Sequence, residues 1–213
     1  MLLAVLGHLS CGSSSQVTAS STLYENDFQK AEVGKVPEEF MVLEGAFSVA
    51  EEKGDKFLEL PGTPLETFGV LFGPNESAGL GVKARIFGTS KGRRAPSFAV
   101  GLNGVGGFKL QMAPSKRALE LYKGDQMLTN ATVNWESGSW TFLQLEVRKA
   151  GEGEWKIDGK AWKQGDKEPG TPVLSYVEKT APISGKASVW GAPYAGTPIR
   201  FDDLRVTKAE PRS

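Results

Sequence analysis

The residues of this chain that could do chemistry are carboxylates and aromatic rings. The stretch "IRFDDLRVTK" sets Asp202 beside Asp203, and "YENDF" carries Asp27 near the other end. Carboxylates from two strand ends, with backbone carbonyls, make the hard oxygen shell that Ca²⁺ takes, about six to eight ligands in all. Asp27, Asp202 and Asp203 are therefore the candidate metal ligands, and a structural Ca²⁺ the candidate cofactor. The competing reading is a solvated bulge in which Asp202 or Asp203 binds backbone N–H groups.

Carboxylates also serve glycoside hydrolysis. A retaining enzyme needs two of them about 5 Å apart, and an inverting one holds them wider. Glu51 and Glu52 are adjacent, so in a strand they face opposite sides. Glu44 and Glu59 stand alone, and Glu146 with Gln144 and Glu136 is the nearest approach to a pair. No catalytic residue is assigned. The only cysteine, Cys11, and the only histidine, His8, both lie in "MLLAVLGHLSCGSSS". From Gly12 onward the chain has no thiol nucleophile and no imidazole base. That excludes Cys–His and Ser-His-Asp chemistry and Cys/His zinc sites there.

Aromatic rings stack on the apolar faces of sugars and are costly to expose otherwise. Trp135, Trp155, Trp162, Trp190 and Tyr194 cluster in the C-terminal half. Trp162, in a Lys-x-Trp segment, and Trp190 and Tyr194, in the expected loop "WGAPY", are the candidate carbohydrate platform. The alternative is that each fills core or edge, as large aromatics mostly do. Trp140 is assigned to packing. In "TSKGRRAPS", Lys91, Arg93 and Arg94 form a basic loop, read first as a solvated tip and second as a contact for an acidic glycan. "GLNGVGG" lies between strands, which does not suit a phosphate-binding turn before a helix.

Strands must position these groups. Apolar residues on one face of a strand share parity. In "IRFDDLRVTK" the parity switches at Asp202-Asp203, from Ile199 and Phe201 to Leu204 and Val206. One extra residue in a β-bulge produces such a switch. In "WTFLQLEV", Leu143, Leu145 and Val147 point to the core, while Trp140, Phe142, Gln144 and Glu146 face the other way. "SFAVGLNGVGGFKLQM" reads as a hairpin through Asn103-Gly104, and "ALELYKGDQML" as one turning at Lys123-Gly124-Asp125. "FGVLFGPN" is expected to stop at Pro74. About a dozen short strands with no helices between them predict an all-β, two-sheet antiparallel β-sandwich or jelly roll.

The 213 residues suit one such domain and a leader. The formal net charge is zero, which removes the electrostatic footprint of a nucleic-acid binder. Residues 1–21 read as an export leader and polar tether, 22–208 as the sandwich and 209–213 as a tail. The apolar start is too short to span a bilayer. Ser10-Cys11-Gly12 is similar to a bacterial lipoprotein processing site, which makes Cys11 the candidate lipidation residue. His8 departs from that pattern, and a basic n-region is missing. The expected location is outside the cytoplasm, with membrane contact only through a lipid anchor.

"GSWTFLQLEV", "WKIDGKAWKQGDKEP" and "GTPIRFDDLRV", in that order, resemble concanavalin A-like (laminin-G-like) sandwich domains. They are most similar to exported bacterial domains related to the family-16-like keto-disaccharide hydrolases. The opening "LYENDFQKAEVGKVPEEFMVLEGAFSVAEE" follows the same pattern, and the resemblance covers nearly all of 22–208. It implies the fold, first and last strands side by side, and the structural calcium common in related jelly rolls. It says little about activity. The glucanases of this class carry an "E-x-D-x-x-E"-like run that is missing here. The expected function is an exported non-catalytic module for carbohydrate. The alternatives are a glycoside hydrolase and an envelope lipoprotein with a protein partner.

Overall fold

The computed structural model describes residues 21–77 and 79–209, and Cys11 lies outside them. The strands are β1 (Thr22–Asn26), β2 (Met41–Glu44), β3 (Ser48–Glu52), β4 (Asp55–Leu60), β5 (Phe68–Glu76), β6 (Leu80–Phe87), β7 (Ser97–Leu102) and β8 (Phe108–Ala113). A 3₁₀ turn at Pro114–Lys116 follows. Then come β9 (Ala118–Lys123), β10 (Gln126–Thr132), β11 (Trp140–Gly151), β12 (Glu154–Lys163), β13 (Leu174–Glu178), β14 (Gly185–Ala192) and β15 (Ile199–Lys208).

They form two antiparallel sheets. The eight-stranded sheet runs β13-β12-β11-β6-β15-β4-β3, with β1 also paired to β15. The seven-stranded sheet runs β10-β9-β8-β7-β14-β5-β2. Alternation places one face of each strand between the sheets. Phe98, Val100, Leu102, Phe108, Leu110, Leu119 and Leu121 come from one sheet. Leu143, Leu145, Val147, Ile157 and Phe201 come from the other, and all join one core. The all-β sandwich expected from the strand pattern is the observed fold.

The opening parity switch is a bulge. Asp202 pairs with Arg85 and Arg205 with Lys83, so Asp203 and Leu204 together oppose one residue of β6. Asp203 adopts φ 48°, a left-handed conformation that aspartate tolerates better than most residues. The bulge falls where β15 changes neighbour. Ile199–Phe201 pair with β4, and Leu204–Thr207 pair with β1. Phe201, Leu204 and Val206 are all buried. Strand β5 does not end at Pro74, as its sequence suggested. It runs on to Glu76 through an irregularity between the Phe72–Ala187 and Glu76–Gly185 pairs. Gly73 at φ 71° absorbs the bend, so the proline breaks no regular ladder. The β7–β8 and β9–β10 hairpins turn where expected, with Asn103 at φ 66° and Gly124 at φ 55°.

Candidate functional site

The carboxylates near the bulge converge on a cation of the chain itself. Arg85 Nη2 bonds the Asp202 carboxylate and lies 3.0 Å from Asp55 Oδ2, while Arg85 Nε is 3.0 Å from Asp203 Oδ2. The guanidinium also lies 4.5 Å from the centre of the Trp140 ring. Burial would lower the Arg85 pKa, but the Asp202 and Asp203 charges outweigh it and hold it above its ordinary value. Asp202 is 0 % exposed, and its Oδ1 accepts the Asp203 N–H. Burial pushes its carboxyl up to about 7, against the lowering by that N–H and by Arg85. Three carboxylates share one guanidinium, so the most deeply buried of them holds a proton most easily.

This is not the arrangement a calcium site needs. A guanidinium stands between Asp202 and Asp203, and Asp27 is absent from that cluster. Asp27 and Asp203 do line one hollow of about 770 Å³, together with Glu25, Glu39, Lys83 and Phe142. The carboxylates around it are engaged: Glu25 with Arg205 at 3.2 Å, Glu39 with Asn26 at 3.0 Å, and Asp27 with the Gln29 N–H at 3.2 Å. Among the described residues no group of three or more Asp, Glu, His or Cys side chains is placed to hold a metal ion. The donor set does not fit Ca²⁺.

The three aromatics expected to form one platform lie apart. Trp162 is on the outer face of the eight-stranded sheet, stacked on Phe142 with ring centres 5.1 Å apart. Lys83 Nζ lies 5.8 Å from the Phe142 ring and 6.0 Å from that of Trp162. Tyr194 sits in the turn after β14 and is 45 % exposed. Trp190 is on β14, in the middle of the other sheet, and not in a loop as its sequence context suggested. Trp140 packs against Phe57 and Phe87, the structural role assigned to it.

Trp190 has the geometry of a platform. Ala187 and Val189 of β14 point into the core, so Ser188 and Trp190 face outward. Its strand neighbours at the same level are Gly69 of β5 and Ala99 of β7. A Cβ at Gly69 would fall 2.4–2.8 Å from Cε3, Cζ3 and Cδ2 of the indole. The six-membered ring therefore lies flat on the backbone at Gly69, and only glycine permits it. At the other end, Trp190 Nε1 donates to Ser188 Oγ at 2.8 Å. A Cβ at Gly101 would lie 3.5 Å from that nitrogen. One ring face is pressed on the sheet and the edge is pinned, which leaves the ring half-buried.

Beyond the small residues of β7, strands β8 and β9 raise a polar wall. Lys109 Nζ lies 5.5 Å from the Trp190 ring centre and 5.3 Å from that of Tyr122. Glu120 is 3 % exposed and fully engaged. Its Oε1 pairs with Lys116 Nζ at 2.9 Å, and its Oε2 accepts from Tyr122 Oη at 2.8 Å and Gln111 Nε2 at 3.2 Å. Burial, then the bond to Glu120, raises the Tyr122 phenol above its ordinary value. Burial lowers Lys109. A flat ring beside fixed donors and acceptors is what a sugar ring needs, with its apolar face for stacking and hydroxyls for hydrogen bonds. Sequence reasoning missed Lys109, Gln111, Glu120 and Tyr122. Their outward parity was readable from Phe108, Leu110, Leu119 and Leu121. That β8 and β9 lie two and three strands from β14 was not.

No protein-family model matches the chain, and no curated protein matches it. Solved structures share its fold. A Bacillus subtilis protein with a galectin-like fold is 13 % identical, with a TM-score of 0.61, over 91 % of this chain and 100 % of its own. The carbohydrate-binding module CBM66 from Bacillus subtilis is 9 % identical, with a TM-score of 0.56, over 80 % of this chain and 96 % of its own. Domain 4 of an extracellular arabinanase from Geobacillus stearothermophilus, in complex with arabinotriose, is 13 % identical, with a TM-score of 0.53, over 89 % of this chain and 93 % of its own. At this identity the likeness establishes architecture: the chain has the concanavalin A-like lectin and glucanase fold, and its structural neighbours include carbohydrate-binding modules.

Proposed function

We propose that this chain is an exported, non-catalytic carbohydrate-binding module that holds its ligand on the outer face of the seven-stranded sheet. The observation that carries the reading is the Trp190 indole, laid flat on Gly69 and pinned by Ser188. A ring so held presents a preorganised surface, so stacking a sugar on it costs little conformational entropy. Gln111 and Tyr122 stand across β7 to meet hydroxyl groups, both held by the buried Glu120. The neighbouring carbohydrate-binding modules support the same reading. Among the outward positions of β7, β8, β9 and β14, Glu120 is the one carboxylate, and both its oxygens are occupied. Hydrolysis by the usual route needs two, so binding without cleavage is the favoured chemistry.

A glycan-array screen followed by calorimetry on Trp190→Ala tests the proposal. Loss of a stacked ring costs about 1–3 kcal/mol by analogy with base stacking, so affinity should fall about tenfold or more. An unchanged affinity would exclude this face. Export rests on the leader, with lipid attachment at Cys11 as its specific form. A hydrolase is the second reading. It is favoured by the 770 Å³ hollow on the opposite side, where Glu25, Asp27, Glu39 and Asp203 meet. Cleavage of a glycan that disappears on mutating one of those four would establish it.

A further inference from the structure

Lys109 is the least explained group on this face. Its ammonium is half-buried among ring faces, and among the described residues it makes no ion pair and no hydrogen bond. Asp125, on the β9–β10 turn, favours its charged form without pairing with it. The ammonium is only partly shielded from water, and a ligand acceptor would give it a partner that the described residues do not. The surroundings keep the same sign. Lys186 faces outward on β14 and donates to the Gly73 carbonyl at 2.5 Å, and Lys116 is held by Glu120. Two carboxylates, Glu120 and Asp125, thus stand among three cations, and neither pairs with Lys109.

The strand beside Lys109 is low and is covered by its neighbours' side chains: Ala99 is 0 % exposed and Gly101 is buried. The outward residues of β7 are Ser97, Ala99 and Gly101, all small, and Gly101 is the strand partner of Lys109. From Gly101 to Ser97 this strand runs about 13 Å, at about 3.3 Å per residue. It ends at the loop that carries Arg93 and Arg94, both exposed and, among the described residues, in no ion pair. Ser97 pairs with Ala192, and Thr197 Oγ1 donates to the Thr89 carbonyl at 2.7 Å, so the turn bearing Tyr194 closes the same end. Resting on the reading of this face as a glycan site, we infer that its ligand is an anionic glycan. One acidic group of that glycan, carboxylate or sulfate, pairs with the Lys109 ammonium. The glycan lies over the Trp190 and Lys109 side chains and points toward Arg93 and Arg94.

The test is calorimetry on the full chain with four probes: an oligogalacturonate, its methyl ester, a neutral oligogalactan and a sulfated oligogalactan. A charge-assisted hydrogen bond of ordinary strength makes the acid bind about tenfold tighter than its ester. Lys109→Gln should bring the two within about twofold by weakening the acid far more than the ester, and Lys109→Arg should restore the preference. Raising the salt should weaken the acid selectively. Selective binding of the sulfated probe, lost in Lys109→Gln, supports the inference and names the anion as sulfate. Equal binding of acid and ester, or a preference that survives Lys109→Gln, overturns it. In that case a loss of affinity in Trp190→Ala would still leave the carbohydrate face standing. If none of the four probes binds, the anionic assignment falls. The broader glycan array then decides whether the face binds sugar at all.

Discussion

Asp202 should make this protein less stable as pH rises, against the usual behaviour of carboxylates. Its folded value, about 7, stands above the ordinary 3.8 because burial, joined by the Asp203 charge, outweighs the lowering by the Asp203 N–H and by Arg85. Between those values the folded chain keeps a proton that the unfolded chain releases. The stability tied to that proton is complete below the ordinary carboxylate range and is lost as pH rises through about 7. Glu52 and Glu178 run the other way. Both are lowered, Glu52 by Arg200, and Glu178 by Lys123 and backbone N–H groups that outweigh its burial. Their stability is lost only as pH falls below the carboxylate range, so a window from pH 5 to 8 isolates Asp202. At about 1.4 kcal/mol per pH unit, the two units from 5 to 7 correspond to a loss of about 3 kcal/mol. Urea unfolding of the parent and of Asp202→Asn across that window is the assay. The parent should lose about that amount, and Asp202→Asn should be flat, equal near pH 5 and more stable at pH 8. A flat parent with Asp202→Asn weaker at every pH would refute the reasoning, and would make Asp202 an ionised partner of Arg85.

Gly69→Ala should tilt the Trp190 ring, because the new Cβ would fall 2.4 Å from it. Glycan affinity should drop about as far as in Trp190→Ala, at a stability cost of about 1–3 kcal/mol; calorimetry and melting read the two separately. EDTA and then Ca²⁺ should leave the melting temperature unchanged, since Arg85 occupies the carboxylate cluster. A rise with Ca²⁺, which at a hundredfold excess over its dissociation constant corresponds to about 2.7 kcal/mol, would restore the calcium. Cys11→Ser should release the protein from bacterial membrane fractions if Cys11 carries lipid. Equal fractionation of mutant and parent would remove the anchor.

Much of the sandwich was legible along the chain, because a strand displays its two faces as alternating residues. Leu143, Leu145 and Val147 declared a core face without reference to any other strand. The parity switch at Asp202-Asp203 declared the bulge, since one extra residue must reverse which side chains point inward. Hairpin turns are local too, so Asn103-Gly104 and Gly124 were readable. Partners distant in sequence were not. Arg85 meets Asp202 across 117 residues, and alternation in β6 alone says only that Arg85 faces out. The bulge was therefore legible, while the cation that the chain itself sets beside it, Arg85, was not. The same limit divided the aromatic candidates. Trp162 and Trp190 look equivalent in sequence, but they sit on opposite outer faces because β12 and β14 belong to different sheets. Only strand order set Trp190 over Gly69, 121 residues away in sequence by the difference of their numbers. The same order put Lys109 and Tyr122 across a floor of alanine and glycine. Residue type and parity are properties of the chain; which strand lies beside which is decided by how the two sheets bury their apolar faces together.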